Sequence, residues 1–167
     1  KQGEIGKIWI PIAESDPFQT VVTLKQISPL KLKETIDSRF HNKAWVGNYG
    51  PESSGKKIKI EYRVLRKEKQ PYPSDSSHLA LYLEPDHLVP LDERFKKLAS
   101  QITRSQKSDL EKGRAIYEHV LSLMKYDKTG TGWGRGDAIY ACDAKKGNCT
   151  DFHALFIAIA RSAKIPS

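Results

Sequence analysis

The chain has 167 residues, of which 38% are hydrophobic, and it carries a formal net charge of +8 at pH 7. This length is sufficient for one large domain or two small ones, and this hydrophobic content is ordinary for a globular protein. No apolar run approaches the roughly 18 to 20 residues that cross a bilayer, so we expect no membrane span. No export signal is recognisable after Lys1, and localisation stays open between the cytoplasm and an extracytoplasmic compartment.

The positive charge does not by itself predict a nucleic-acid interface. Basic residues are scattered along the chain, several of them alternate with apolar positions, and no sequence signature of a DNA- or RNA-binding fold accompanies them. We therefore expect no nucleic-acid partner. The charge is interpreted as a source of solubility and of general attraction to acidic surfaces.

The first part of the chain has the period of β-strands. Apolar residues occupy every second position over residues 57–64, weaker strand signals lie at 8–12 and 20–27, and Pro11 suits an edge strand. Turn-forming residues separate these segments at 14–17 and 47–55. We predict a β-rich, sandwich-like domain over residues 1–77, which ends in a Pro- and Ser-rich linker at 70–77.

Helices and a glycine-rich loop are predicted after Pro90. A first apolar stripe comprises Leu91, Phe95, Leu98 and Ile102. Ser108 and Glu111 have the spacing of a capping box, and the side of the second helix predicted to face the core carries Leu110, Tyr117, Val120, Leu121 and Met124. Residues 129–136 alternate glycine with other residues and are predicted to be a loop, because each glycine adds to the entropy cost of ordering.

The last predicted helix, over residues 148–164, is apolar on most sides and should be central. Asn148 is a favoured N-cap residue, and Gly147 allows a sharp turn into the helix. Cys149 then lies in the first turn, where free N–H groups and the helix dipole favour a thiolate and can stabilise an oxyanion. Spacing alone leaves the alternative that Cys149 is a small buried apolar residue.

The second cysteine, Cys142, is expected to be a bystander. A turn between Cys142 and Cys149 would also allow a disulfide, which we keep as an alternative. The two cysteines have neither CxxC spacing nor the local histidine pattern of a zinc site, so no metal and no cofactor are predicted.

The residues around Cys149 resemble a known family. Residues 147–152, GNCTDF, followed by Leu155-Phe156, Ala160-Arg161 and Ile165-Pro166, resemble the nucleophile motif of the transglutaminase-like superfamily. Upstream, Glu111-Lys112, Ala115-Ile116-Tyr117, Val120 and Tyr126-Asp127 resemble the segment that precedes the nucleophile in bacterial members. The resemblance covers residues 91–167 well and residues 1–77 only loosely.

This resemblance implies an α+β protein in which residues 78–167 form the helical half of a papain-like core, with the core sheet largely absent from the chain. It implies that Cys149 attacks an amide or peptide carbonyl of a protein or peptide substrate and forms a thioester. In the family a histidine and then an aspartate follow later, whereas here only His153 and Asp151 follow, on the same helix.

We therefore expect a truncated, inactive part of a cysteine peptidase or acyltransferase, which exposes apolar surface or self-associates. The alternative is a non-catalytic binding or assembly module on the same scaffold.

Three residues near the nucleophile have weaker functional interpretations. His153 is expected to be a core histidine, or one that contacts a site residue, because an i+4 side chain leans alongside Cys149 instead of facing it. Asp151 is expected to be a first-turn carboxylate that suits the helix dipole. Trp133 is either the anchor of its loop or an indole N–H donor to an oxyanion, as the resemblance to animal transglutaminases would imply.

Overall fold

The computed structural model describes residues 4–69 and 78–167, and the chain forms two compact units, Lys1–Tyr72 and Pro73–Ser167. The predicted linker at residues 70–77, with its domain boundary, lies outside the described residues. Strands make up the first unit, and helices with two very short strands make up the second, which confirms the α+β class.

Two antiparallel sheets form the first unit. Its strands are β1 (Gly6–Pro11), β2 (Gln19–Ile27), β3 (Lys33–Ile36), β4 (Lys43–Tyr49) and β5 (Lys59–Arg66). One sheet has the order β1-β4-β3, and the other pairs β2 with β5. The strands predicted near 8–12, 20–27 and 57–64 are confirmed, and Pro11 ends an edge strand as expected.

The turn predicted over residues 47–55 is partly wrong, because β4 continues to Tyr49. Gly47 is buried within that strand, and a Cβ there would lie 2.8 Å from Cδ2 of Leu32. Glycine is therefore present for close packing and not for a turn. The turn itself is a short 3-10 helix, Pro51–Ser53. The pattern does not predict β3, because all four of its residues are exposed and show no alternation.

The second unit is built around one central helix. It comprises a 3-10 helix (Leu79–Leu83), α1 (Glu93–Ile102), α2 (Asp109–Leu123), β6 (Lys125–Tyr126), α3 (Ala138–Ala144), β7 (Lys146–Gly147) and α4 (Cys149–Ser162). β6 and β7 pair in parallel. α4 packs against the other three helices, which confirms its predicted central position. No helix in the described ranges is long and apolar enough to cross a membrane.

The predicted capping box is confirmed at the start of α2. Ser108 Oγ accepts a hydrogen bond from the Glu111 N–H (3.3 Å), and Glu111 Oε2 accepts one from the Ser108 N–H (3.0 Å). Hydrogen bonds from the Ser108 and Lys107 N–H groups lower the pKa of Glu111. A carboxylate near a helix N-terminus thus stabilises the start of α2 by accepting otherwise unpaired donors.

The predicted core side of α2 is partly wrong. Ile116, Val120 and Met124 are buried, whereas Tyr117 and Leu121 are more than half exposed, and Leu110 is 85% exposed. α2 is apolar on more than one side, so the period alone does not decide which side packs against α4. The structure places the buried stripe one residue earlier and leaves an apolar flank on the surface.

Arg161, near the end of α4, is a buried cation. Its Nη1 donates to the Glu84 carbonyl (2.7 Å) and to Asp86 Oδ2 (2.9 Å), and its Nε and Nη2 donate to the Ser167 carbonyl (2.8 and 2.6 Å). The planar guanidinium satisfies several acceptors at once, which offsets the desolvation of its charge. Arg161 therefore joins α4 to the segment that precedes α1.

Candidate active site

The nucleophile expected from the sequence is the first residue of α4, and its side chain is exposed. Asn148 is the N-cap, with its Oδ1 accepting from the Thr150 N–H (3.0 Å). The predicted helix start is therefore confirmed, and the alternative of a buried Cys149 is wrong. Cys142 lies partly buried in α3, and both cysteines are free thiols, so the alternative of a disulfide is also wrong.

A free backbone donor lies beside the thiol. The N–H groups of Asp151 and Phe152 donate to the Asn148 carbonyl (3.1 and 3.2 Å), and that of Thr150 is bonded to the Asn148 side chain. Within the described residues, the N–H of Cys149 has no acceptor. The first turn of α4 thus leaves one N–H available to a negatively charged oxygen at the nucleophile.

No side chain in residues 4–69 or 78–167 forms a hydrogen bond or ion pair with the Cys149 thiol. His153, one turn further along α4, is exposed, so its expected burial is wrong. It lines the edge of an apolar groove and does not bond to Cys149. The described part of the chain therefore brings no histidine into hydrogen-bond contact with the nucleophile.

The apolar groove lies between α2 and α4 and does not include Cys149 itself. It has a volume of about 340 Å³ and is lined by Tyr117, Val120, Leu121, Phe152, His153 and Phe156. Positions three, four and seven residues after Cys149 share its helix face, so the α4 wall of the groove and the thiol lie on one side of the helix. An apolar group bound near the thiol would find its contacts here.

Asp151 forms hydrogen bonds that the sequence does not predict. Its side chain is fully buried, and the carboxylate accepts hydrogen bonds from the N–H groups of Gly134 (2.7 Å), Asn148 (2.9 Å) and Gly136 (3.2 Å). The bond from Asn148 is the expected local one at the helix start. The other two join α4 to the glycine-rich loop, and this link was not predicted, although the glycine repeat and the C-x-D spacing both lie in the sequence.

The glycine-rich loop contains four glycines whose φ angles are positive. Gly130, Gly132, Gly134 and Gly136 have φ of +80°, +93°, +83° and +69°, a region that side chains rarely allow. The indole Nε1 of Trp133 donates to the Gly130 carbonyl (3.1 Å). The indole N–H is thus bonded within its own loop, in line with the anchoring role and not with an oxyanion donor.

The beginning of this loop is held by a second set of contacts. Asp127 accepts from the Thr129 N–H (2.8 Å), and the hydroxyl and N–H of Thr129 lower the pKa of Asp127. The Asp127 N–H donates to the Gly147 carbonyl (3.1 Å), and Lys146 Nζ donates to the Thr129 carbonyl (3.2 Å). The beginning of the loop is therefore attached to the residues just before Cys149, and its end to Asp151, two residues after Cys149.

No group of three or more His, Cys, Asp or Glu side chains suited to a metal ion occurs in the described part of the chain. The arrangement at the head of α4 instead comprises an exposed thiol, a free N–H, an anchored loop and an apolar groove. A thiol beside an unpaired N–H is a combination that is chemically suited to attack on a carbonyl group.

Comparison with known proteins supports this interpretation at the level of the family. Residues 96–167 match the model of the transglutaminase-like superfamily. A protein of Haemophilus influenzae, described as uncharacterized, is 22% identical in an alignment 176 positions long, which covers 96% of this chain and 48% of that protein. The chain thus spans about half the length of this curated relative.

A solved structure has a similar fold. The crystal structure titled as that of "a Putative Cysteine Protease from Cytophaga hutchinsonii" aligns with a TM-score of 0.75 at 16% identity. The alignment covers 99% of this chain and 61% of that one. At this identity the comparison shows the fold and not the activity.

Proposed function

Because residues 96–167 belong to the transglutaminase-like superfamily, we propose that this chain is the nucleophile-bearing part of a cysteine enzyme that acts on amide or peptide carbonyls. The observation that carries the proposal is the position of Cys149, an exposed thiol at the first residue of α4 beside its own unpaired N–H. A thiolate is favoured at a helix N-terminus, where the peptide dipoles are positive.

In the proposed reaction the Cys149 thiolate attacks the carbonyl carbon, so that a C–S bond forms while an electron pair moves onto the oxygen. The Cys149 N–H donates to this oxyanion and stabilises it. The oxyanion then collapses, the C–N bond breaks, and the amine leaves with a proton. Water or a second amine attacks the resulting thioester, which releases the acyl group and regenerates the thiol.

Protein or peptide amides are the proposed substrates, and either hydrolysis or acyl transfer completes the cycle. Protonating the leaving amine needs a general acid, ordinarily a histidine. Since no described histidine bonds to Cys149, we propose that this group comes from outside the described residues and that these residues alone turn over amides slowly.

Thioester formation can be tested without that general acid. p-Nitrophenyl acetate has a leaving group that departs unprotonated, so an activated thiolate should release p-nitrophenolate in a burst and carry the acetyl group. We expect acetylation of Cys149, located by peptide mass spectrometry, to be faster than acetylation of Cys142, and Cys149→Ser to abolish the burst. Iodoacetamide at mildly acidic pH should show the same preference. Equal rates at the two cysteines would refute the proposal.

One observation favours the alternative of a non-catalytic binding or assembly module, namely that no side chain in the described ranges bonds to the Cys149 thiol. The same experiment separates the two functions. A binding module requires no activated thiolate, so Cys149 would react with iodoacetamide at mildly acidic pH no faster than glutathione, a fully exposed thiol, does under the same conditions, and Cys149→Ser would leave binding of a peptide partner unchanged.

A further inference from the structure

The buried carboxylate of Asp151 is unusual because no cation in residues 4–69 or 78–167 forms an ion pair with it. Its side chain is fully buried, and within the described residues its only partners are the N–H groups of Gly134, Asn148 and Gly136. A buried charge is costly unless hydrogen bonds compensate it. Three charge-assisted bonds and the N-terminal end of α4 provide that compensation.

Two of these three bonds are not needed to begin the helix. The bond from the Asn148 N–H completes a local cap, whereas the donors Gly134 and Gly136 lie 17 and 15 residues earlier in the chain. A carboxylate that accepts from two alternate residues of a loop fixes the path of that loop, because both donors must point at one side chain. Asp151 therefore anchors the glycine-rich loop to the head of α4.

The anchored loop lies against the two neighbours of the nucleophile. A Cβ on Gly134 would be 3.3 Å from Nδ2 of Asn148, and a Cβ on Gly136 would be 2.9 Å from Cγ2 of Thr150. Asn148 and Thr150 are the residues on either side of Cys149. The backbone of the loop thus packs against the side chains of both sequence neighbours of Cys149.

We propose that Asp151 is a positioning residue, which holds the glycine-rich loop as one wall of the acyl-donor site at Cys149. This inference rests on the proposed function and adds a determinant of substrate placement to it. Asp151 takes no part in bond making. Its contribution is to keep the wall in place, since a misplacement of about 1 Å near reacting atoms can cost up to about a hundredfold in rate.

Amide hydrogen exchange measured by NMR tests the anchor itself, independently of any chemistry at Cys149. In the unmodified chain, the N–H groups of Gly134 and Gly136 should exchange more slowly than those of Gly130 and Gly132, which have no acceptor within the described residues. In Asp151→Asn an amide NH₂ replaces one carboxylate oxygen, so at least one of the anchored N–H groups should exchange faster. Equal rates for all four glycines in the unmodified chain would overturn the inference.

Two alkylating probes test the consequence for the site. Iodoacetamide is too small to contact the glycine-rich loop while it reacts with Cys149, so its rate should not depend on the position of the loop. A chloroacetyl-capped tripeptide is long enough to contact the loop, so its rate should depend on that position. In Asp151→Asn we expect the tripeptide rate at Cys149 to fall by about tenfold while the iodoacetamide rate does not fall. Cys142 in the same molecule serves as the internal control for both probes. A purely structural role of Asp151 would leave the ratio of the two rates unchanged.

A pair of glycine substitutions keeps the test decisive if Asp151→Asn fails to fold. Gly136→Ala introduces a Cβ that meets Thr150, whereas Gly130→Ala places one about 4.0 Å from the nearest atom, Lys146 Nζ, at a similarly positive φ. The two variants share the backbone strain but not the contact with the head of α4. Gly136→Ala should lower the rate of the tripeptide at Cys149, and Gly130→Ala should not. Equal effects of the two substitutions would refute the proposed role of the loop as a wall of the site.

The outcomes distinguish this inference from the proposed function. If Cys149 of the unmodified chain reacts no faster than Cys142 with iodoacetamide, the proposed function fails, and the exchange rates still decide whether Asp151 anchors the loop. If Cys149 is activated but Asp151→Asn changes neither the exchange nor the ratio of the probes, only the positioning role fails.

Discussion

Gly147 lies immediately before the cap of α4, and replacing it with alanine should be costly. A Cβ at this position would meet Oδ2 of Asp151 and would lie 2.6 Å from its Cβ and 2.7 Å from its Cγ. Contacts below 3.0 Å cannot be relieved by a flexible side chain here, because Asp151 is fully buried and held by three hydrogen bonds. Gly147→Ala must therefore move either the carboxylate or the backbone of β7.

The expected cost follows from those contacts. Overpacking a buried site costs about 1–3 kcal/mol, and loss of one hydrogen bond to a charged group costs about 1.5–3 kcal/mol. The two costs do not add in full, because a movement of Asp151 that relieves the overpacking is also the movement that weakens its hydrogen bonds. We therefore expect Gly147→Ala to lower the free energy of unfolding by about 3 kcal/mol. At about 4–8 °C per kcal/mol for a domain of this size, the melting temperature should fall by roughly 12–24 °C.

Gly113 provides a matched control with the opposite sign. It lies within α2, and a Cβ there would have no atom within 4 Å. Gly113→Ala should therefore stabilise the unit by about 0.5–1 kcal/mol, because alanine has less backbone entropy to lose than glycine in a helix. The same substitution is thus expected to act in opposite directions at two positions.

Thermal and urea unfolding followed by circular dichroism at 222 nm measures both variants. The α-helices of the described chain all lie in the second unit, so this signal reports on the unit that contains Gly147 and Gly113. If Gly147→Ala were as stable as the unmodified protein, the close packing of β7 against Asp151 would be refuted. If both variants lost stability, the control would point to a general intolerance of Gly→Ala changes.

Three further predictions concern the rest of the second unit. The pKa of Glu111 is lowered on folding, so its contribution to stability is present above the ordinary Glu pKa and lost as pH falls through the lowered value. Glu111→Gln should therefore be less stable than the unmodified protein at pH 7, and the urea unfolding curves of the two should converge as the pH is lowered below that pKa. Arg161→Ala should cost about 3 kcal/mol, because it removes a buried guanidinium together with its four hydrogen bonds, whereas Arg94→Ala removes only an exposed ion pair and should change stability little in the same assay. Leu121→Gln should reduce the fluorescence of a hydrophobic dye bound to the apolar groove, and Leu110→Gln, on the same helix but outside the groove, should not.

Much of the fold could be predicted because its signals are local. Alternation over residues 57–64, the capping box at Ser108 and the N-cap at Asn148 are read over a few residues, and each corresponds to an observed strand or helix start. The short helix α3 was not predicted, although Asp137 caps it with hydrogen bonds from the Ile139 and Tyr140 N–H groups. Seven residues are too few for periodicity to stand out.

Where the local sequence pattern was ambiguous, contacts with neighbouring residues decided which structure formed and which side chains were buried. Gly47 lies in a segment whose composition is typical of a turn, but in the structure it is a buried strand residue that packs closely against the Leu32 side chain. α2 is apolar on two sides, and only its contact with α4 selects Ile116 and Val120 for the core over Tyr117 and Leu121. A one-dimensional pattern contains no information about which neighbour will be present.

The sequence by itself determined the helix that carries Cys149, the residue that caps it and the match of residues 96–167 to the transglutaminase-like family model, because these depend on short-range spacing and motif. Only the tertiary structure decided that Asp151 is buried and shared between α4 and the glycine-rich loop. That arrangement depends on hydrogen bonds between residues 15 and 17 positions apart, which form only when the packed helices bring the loop to the head of α4.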